Sequence, residues 1–86
     1  MNLMNPIILS KIRILTSDYL FVAANKKLQE AEFDEKSKLY SLLKDYAIYC
    51  HTYENNSLIE IPMKIQKLYK TDDKVKRFFD SIPDNI

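Results

Sequence analysis

Not one of the 86 residues is glycine. At the ordinary usage of roughly 7%, a chain this long carries about six. Glycine is the residue that enters positive φ freely and lets backbone approach a phosphate closely. Its absence excludes the P-loop, the GxGxxG dinucleotide turn, the GxSxG nucleophile elbow and the usual EF-hand loop. Two-residue hairpin turns are disfavoured too, with Asn55-Asn56 the one remaining candidate. What these exclusions leave is a helical chain.

Length allows one domain with one modest core, residues 1–86. An apolar share of 47% against 29% charged is the balance of a folded soluble protein. The net charge of +1 gives no global reason to expect nucleic acid or an acidic partner. A single cysteine, Cys50, excludes an internal disulfide and suits a reducing compartment. Lys11, Arg13 and Asp18 interrupt each apolar run near the start before it reaches the length of a signal-peptide core or a membrane span. A cytoplasmic location is therefore expected. Ile, Lys, Asn, Tyr and Phe supply 37 residues, whereas Gly, Ala, Arg and Pro supply 9. That skew points to an AT-rich gene, as in many small bacterial, phage and plasmid proteins.

Helical periodicity runs through most of the chain. Pro6 suits a first helical turn, where its missing N–H has no partner to lose. Ile8, Ile12, Leu15, Tyr19 and Val22 then recur at spacings of four, three, four and three. This stripe keeps its phase across Thr16-Ser17-Asp18, so one helix over about residues 6–31 is favoured over two. Asp34 is placed as the N-cap of a second helix carrying Leu39, Leu42, Leu43, Tyr46, Ala47, Tyr49, Cys50 and Tyr53. Lys26–Glu30, Glu32–Lys36 and Asp34–Lys38 are opposite charges four apart. Asn55-Asn56 should end the second helix. Ser57 and Glu60 spell a capping box, yet Pro62 argues against a helix starting there. The expectation is a link over residues 57–61, then a third helix from Pro62 to about Lys70. Thr71 should cap a last helix with Val75, Phe78, Phe79 and Ile82 inward, stopped at Pro83. Together these predict an all-α protein, a small antiparallel bundle of about four helices joined by short connections.

No catalytic centre is legible. Cys50 and His51 are adjacent, and neighbours on a helix point about 100° apart instead of facing each other. One cysteine and one histidine cannot supply the three or four ligands of a zinc site. Asp72-Asp73 read as a helix start. No enzyme activity, cofactor or metal is expected.

Two surfaces remain as partner-binding candidates. Lys64, Lys67, Lys70 and Lys74 fall at spacings of three, three and four, with Lys76 and Arg77 behind them. Residues 64–77 hold six positive and two negative side chains, a local excess of four. Such a stripe is either the solvated face of an amphipathic helix or a binding face for phosphate or an acidic surface. Tyr46, Tyr49 and Tyr53 form a strip along the second helix. Core packing is its first reading, and a docking or dimer face the second. A membrane-surface helix at Pro6–Leu15 ranks last. The expected function is a small non-enzymatic regulator or inhibitor binding a protein partner through a helical face. The alternative is a nucleic-acid-associated accessory protein using the basic stripe. In length, helix content and cytosolic character the chain also resembles the small four-helix immunity proteins that protect producers of class II bacteriocins, a likeness that rests on architecture and not on a motif.

Overall fold

A computed structural model describes residues 3–18, 20–50 and 55–83. Among these the protein is all-helical, with five helices where about four are expected: α1 (Pro6–Leu15), α2 (Val22–Glu30), α3 (Lys38–Cys50), α4 (Asn55–Thr71) and α5 (Asp73–Asp80). Pro6 opens α1 as expected. The Asn5 carboxamide oxygen caps it, accepting from the amides of Ile7 at 2.8 Å and Ile8 at 3.4 Å.

The extra helix comes from a break in the segment expected to be continuous over 6–31. A straight helix of that length would run about 39 Å at 1.5 Å per residue. The longest dimension of the molecule is 31 Å, so its end would have nothing to pack against. Local chemistry makes the turn. The Thr16 hydroxyl folds back to the Ile12 carbonyl at 2.7 Å. The Asp18 carboxylate accepts from the amide of Leu20 within the corner and from those of Val22 and Ala23, donors that the start of α2 leaves unpaired. Those bonds, Leu20 first, hold the Asp18 carboxyl below its ordinary pKa. Phe21 turns into the left-handed region at φ 60° and buries its ring edge-on to Tyr40, 5.4 Å between centroids. Val22, a member of the expected stripe, is exposed, as is Leu20. Tyr19 lies outside the described residues.

The second corner also departs from expectation. Asp34 does not cap a helix; its carboxylate accepts from Lys36 N at 2.9 Å within the turn. Ser37 takes the capping place, its hydroxyl accepting from Tyr40 N at 3.3 Å. Glu32–Lys36 and Asp34–Lys38 therefore straddle a corner and form no ion pair. At the end of α2, Glu32 N donates to Gln29 O and Phe33 N to Leu28 O. With Glu32 at φ 65° this is a Schellman ending, and its apolar contact is supplied by buried Phe33 and Leu28.

Asn55-Asn56 does not end α3, and residues 57–61 are not a link: both belong to α4, which runs through Pro62. Proline there costs a hydrogen bond and crowds the preceding turn. Packing outweighs that cost, because Ile61, Pro62, Ile65 and Gln66 are all buried and α3 with α4 is the most extensive helix pairing. The cap of α5 is Asp72, which accepts from the amides of Lys74 and Val75. Thr71 instead ends α4, its hydroxyl bonded to Lys67 O at 2.9 Å. Val75, Phe78, Phe79 and Ile82 are buried as expected.

One apolar cluster joins all five helices and the corner residues Phe21 and Phe33. The radius of gyration, 11.8 Å, is close to the roughly 12 Å of a compact chain this long. Two buried polar side chains tie the elements together. Lys11 of α1 donates from Nζ to the Phe79 carbonyl at 2.7 Å, at the end of α5 where a cation is favoured. Gln66 of α4 accepts from Asn5 N at 2.6 Å and donates to Leu3 O at 3.1 Å, holding the chain that leads into α1.

The two left-handed corners give opposite predictions for one substitution. Glu32→Gly relieves positive φ on an exposed side chain and should stabilise the fold by about 0.5–1 kcal/mol, raising Tm by about 3–6 °C. Phe21→Gly relieves the same backbone strain but removes a buried ring, and should destabilise by about 3 kcal/mol. Thermal and urea unfolding of the two variants distinguishes the cases.

Candidate functional site

The structure sorts the expected partner-binding residues into three groups. Tyr46 is only 5% exposed and belongs to the core. Tyr49 is half-buried and packs against the core, and Tyr53 lies outside the described residues. The tyrosine strip thus puts its described members mainly into α3 packing, the first of the two readings given to it.

The basic stripe divides. Lys74 reaches back from α5 to the α2–α3 corner. Its ammonium donates to the Glu32 carbonyl and lies 4.4 Å from the centre of the Phe33 ring. It is a strap over the left-handed corner. Arg77 lines the same hollow, with Ala31, Phe33, Phe78 and Ser81. Lys76 is also engaged, bonded to Asp80 at 2.8 Å and placed over the Tyr69 ring at 5.4 Å. Tyr69 in turn donates its hydroxyl to the other Asp80 oxygen at 2.7 Å. Lys11 is held by the Phe79 carbonyl.

Lys64, Lys67 and Lys70 are different. All three are exposed on α4, and none forms an ion pair or hydrogen bond among the described residues. Lys64 and Lys67 lie along a groove where the beginning of α3 meets the end of α4. Lys38 and Leu42 of α3 line it together with Leu68 and Thr71 of α4. Lys70 is not part of that groove and lines a second hollow on α4 with Met63, Lys64, Gln66 and Lys67. The site is therefore a lysine-edged groove with half-buried leucines along it. Lys38, Leu42 and Leu68 are not among the binding candidates legible in the sequence, because they sit on elements whose pairing no local pattern reveals. The i, i+3 spacing of Lys64 and Lys67 was the legible part.

Cys50 is half-buried, with its thiol directed to the Ala47 carbonyl at 3.4 Å, and burial pushes its pKa up. That environment disfavours the reactive thiolate. His51 lies outside the described residues. Among the described residues no three His, Cys, Asp or Glu side chains converge as metal ligands, and no helix is long and apolar enough to cross a membrane.

No family model, curated protein or solved structure matches the chain. Function has to be argued from this geometry.

The Tyr69–Asp80–Lys76 cluster predicts pH dependence at both ends of the scale. The Lys76 hydrogen bond, then that of Tyr69, holds the Asp80 carboxyl below its ordinary value of 3.8. Its contribution to stability is complete above that value and is lost as pH falls through the lower folded pKa. Hydrogen bonding to Asp80 pushes Tyr69 and Lys76 above their ordinary 10.0 and 10.5. Their contributions are complete below those values and are lost as pH rises through the higher folded pKa values. Asp80→Asn should flatten the pH dependence of the urea midpoint between about pH 2 and 5 and again above about pH 10. The Asp18 contribution to the acid limb should persist.

Proposed function

We propose that the protein is a small non-enzymatic regulator that acts by binding a protein partner through the face shared by α3 and α4. The observation that carries this reading is the unequal use of its cations. Within the basic segment Lys74 and Lys76 each hold part of the fold, whereas Lys64 and Lys67 have no bonded partner among the described residues and line one groove with Lys38. Solvated lysines are common on helix surfaces. Here they border an apolar groove, and that combination is what a docking face offers: desolvatable area in the centre and charge at the rim.

The alternative partner is nucleic acid, for which the exposed Lys67 and Lys70 would contact phosphates. Such binding would draw mainly on counterion release and fall steeply with salt. Lysines without an arginine fork give little means of reading bases.

Affinity capture of the tagged protein from its native lysate, with and without nuclease, tests the reading. A stoichiometric protein should be retained after nuclease and lost with Lys64→Glu/Lys67→Glu. Lys26→Glu/Lys27→Glu, a charge reversal at two exposed positions of α2, should leave capture unchanged. Captured material that disappears on nuclease treatment would transfer the function to nucleic-acid binding.

A further inference from the structure

We infer that the α3–α4 groove takes an acidic amphipathic helix of the partner, its apolar ridge on Leu42 and Leu68 and its carboxylates against Lys38, Lys64 and Lys67. This inference rests on the protein-binding reading above and deepens it by naming the chemistry of the bound segment.

The groove is asymmetric in polarity from bottom to rim. Leu42 of α3 and Leu68 of α4 are half-buried, packed on the edge of the core with part of each side chain still in water. Covering that remaining apolar surface is favourable. Lysines of both helices bring long apolar stems that can widen the covered area while their ammonium groups stay at the rim. A ligand that satisfies both parts has an apolar stripe flanked by negative charge. On α3, Leu42 is followed at helical spacing by half-buried Asp45 and Tyr49.

Axial spacing favours a helix as the carrier of those carboxylates. Lys64 and Lys67 are three residues apart on α4, about 4.5 Å along its axis at 1.5 Å per residue. Carboxylates at i and i+3 of a second helix repeat at the same interval, so a helix laid along α4 can meet both ammoniums at once. Packed helices lie 8–10 Å apart, a distance that side chains such as leucine fill from the two sides. A nucleic-acid strand matches the groove less well. It would set phosphates over leucines, and none of the groove-lining residues is an aromatic ring on which a base could stack.

The test uses the whole protein, isotope-labelled, and a synthetic peptide of about 20 residues with alanine at its remaining positions, above the length at which isolated helices are marginal. The peptide carries leucines along one stripe with glutamates on both flanks. One control keeps the composition but scatters the leucines; a second replaces the glutamates by glutamine; a third probe is a short DNA duplex. The expected result is saturable shifts of the Lys38, Leu42, Lys64, Lys67 and Leu68 amides with the striped acidic peptide. Affinity should fall about tenfold or more with either control peptide and with Lys64→Glu/Lys67→Glu, whose unchanged spectrum elsewhere shows that it is folded. Equal binding of the scattered peptide would overturn the inference, since the leucines would then not be read. An ignored striped peptide together with lysate capture that still depends on Lys64 and Lys67 would overturn the helix as occupant and leave the protein-binding reading standing. Shifts produced at these residues by duplex DNA alone would overturn both.

Discussion

Helices of eight to 17 residues have little stability of their own, since isolated helices below about 12–15 residues are marginal in water even for favourable sequences. What keeps each one formed is the apolar cluster they share, from Ile8 in α1 to Ile82 beyond α5. Every helix contributes one stripe to it. The two corner rings, Phe21 and Phe33, fill it from outside the helices. Tolerance of Pro62 inside α4 follows from the same dependence. A defect that would break a free helix is accepted where the flanking Ile61 and Ile65 are buried.

Short helices also multiply ends, and each end leaves backbone groups without helical partners. In this chain without glycine, side chains finish most of them. Asn5, Asp18, Ser37 and Asp72 accept from the first amides of α1, α2, α3 and α5. At the far ends, Thr16, Thr71 and Ser81 turn hydroxyls back to carbonyls of the preceding turn, and Lys11 reaches the end of α5 from α1. Only at Phe21 and Glu32 does the described backbone enter positive φ. Each of these residues is secured by something distant in sequence: the Phe21 ring by Tyr40, and the Glu32 carbonyl by Lys74.

That engagement explains why the basic stripe is not one surface. Lys74 and Lys76 lie beyond the break between α4 and α5, where an acceptor carbonyl and an acceptor carboxylate stand within reach. Lys64 and Lys67 lie on α4 beside α3, with no hydrogen-bond or ion-pair partner among the described residues. Charge excess along the sequence is thus divided by geometry into cations used for folding and cations presented outward.

Local chemistry determined by itself that the chain is helical, that Pro6 begins the first helix, and that Val75, Phe78, Phe79 and Ile82 face inward. These depend on side-chain periodicity and on φ, which act within a turn or two. The break at Thr16–Phe21 was written locally too, in Asp18, but the periodic stripe argued the other way. Only the size of the core, shorter than a 26-residue helix, decided between them. Whether Pro62 could sit inside a helix, whether Tyr46 was core or surface, and which lysines were left over were decided by tertiary structure. Each depends on what stands across from a residue, and burial and pairing energies are set by that neighbour and not by spacing along the chain. The groove is the plainest case: Lys38 and Leu42 become part of one face with Lys64, Lys67 and Leu68 only because α3 packs beside α4.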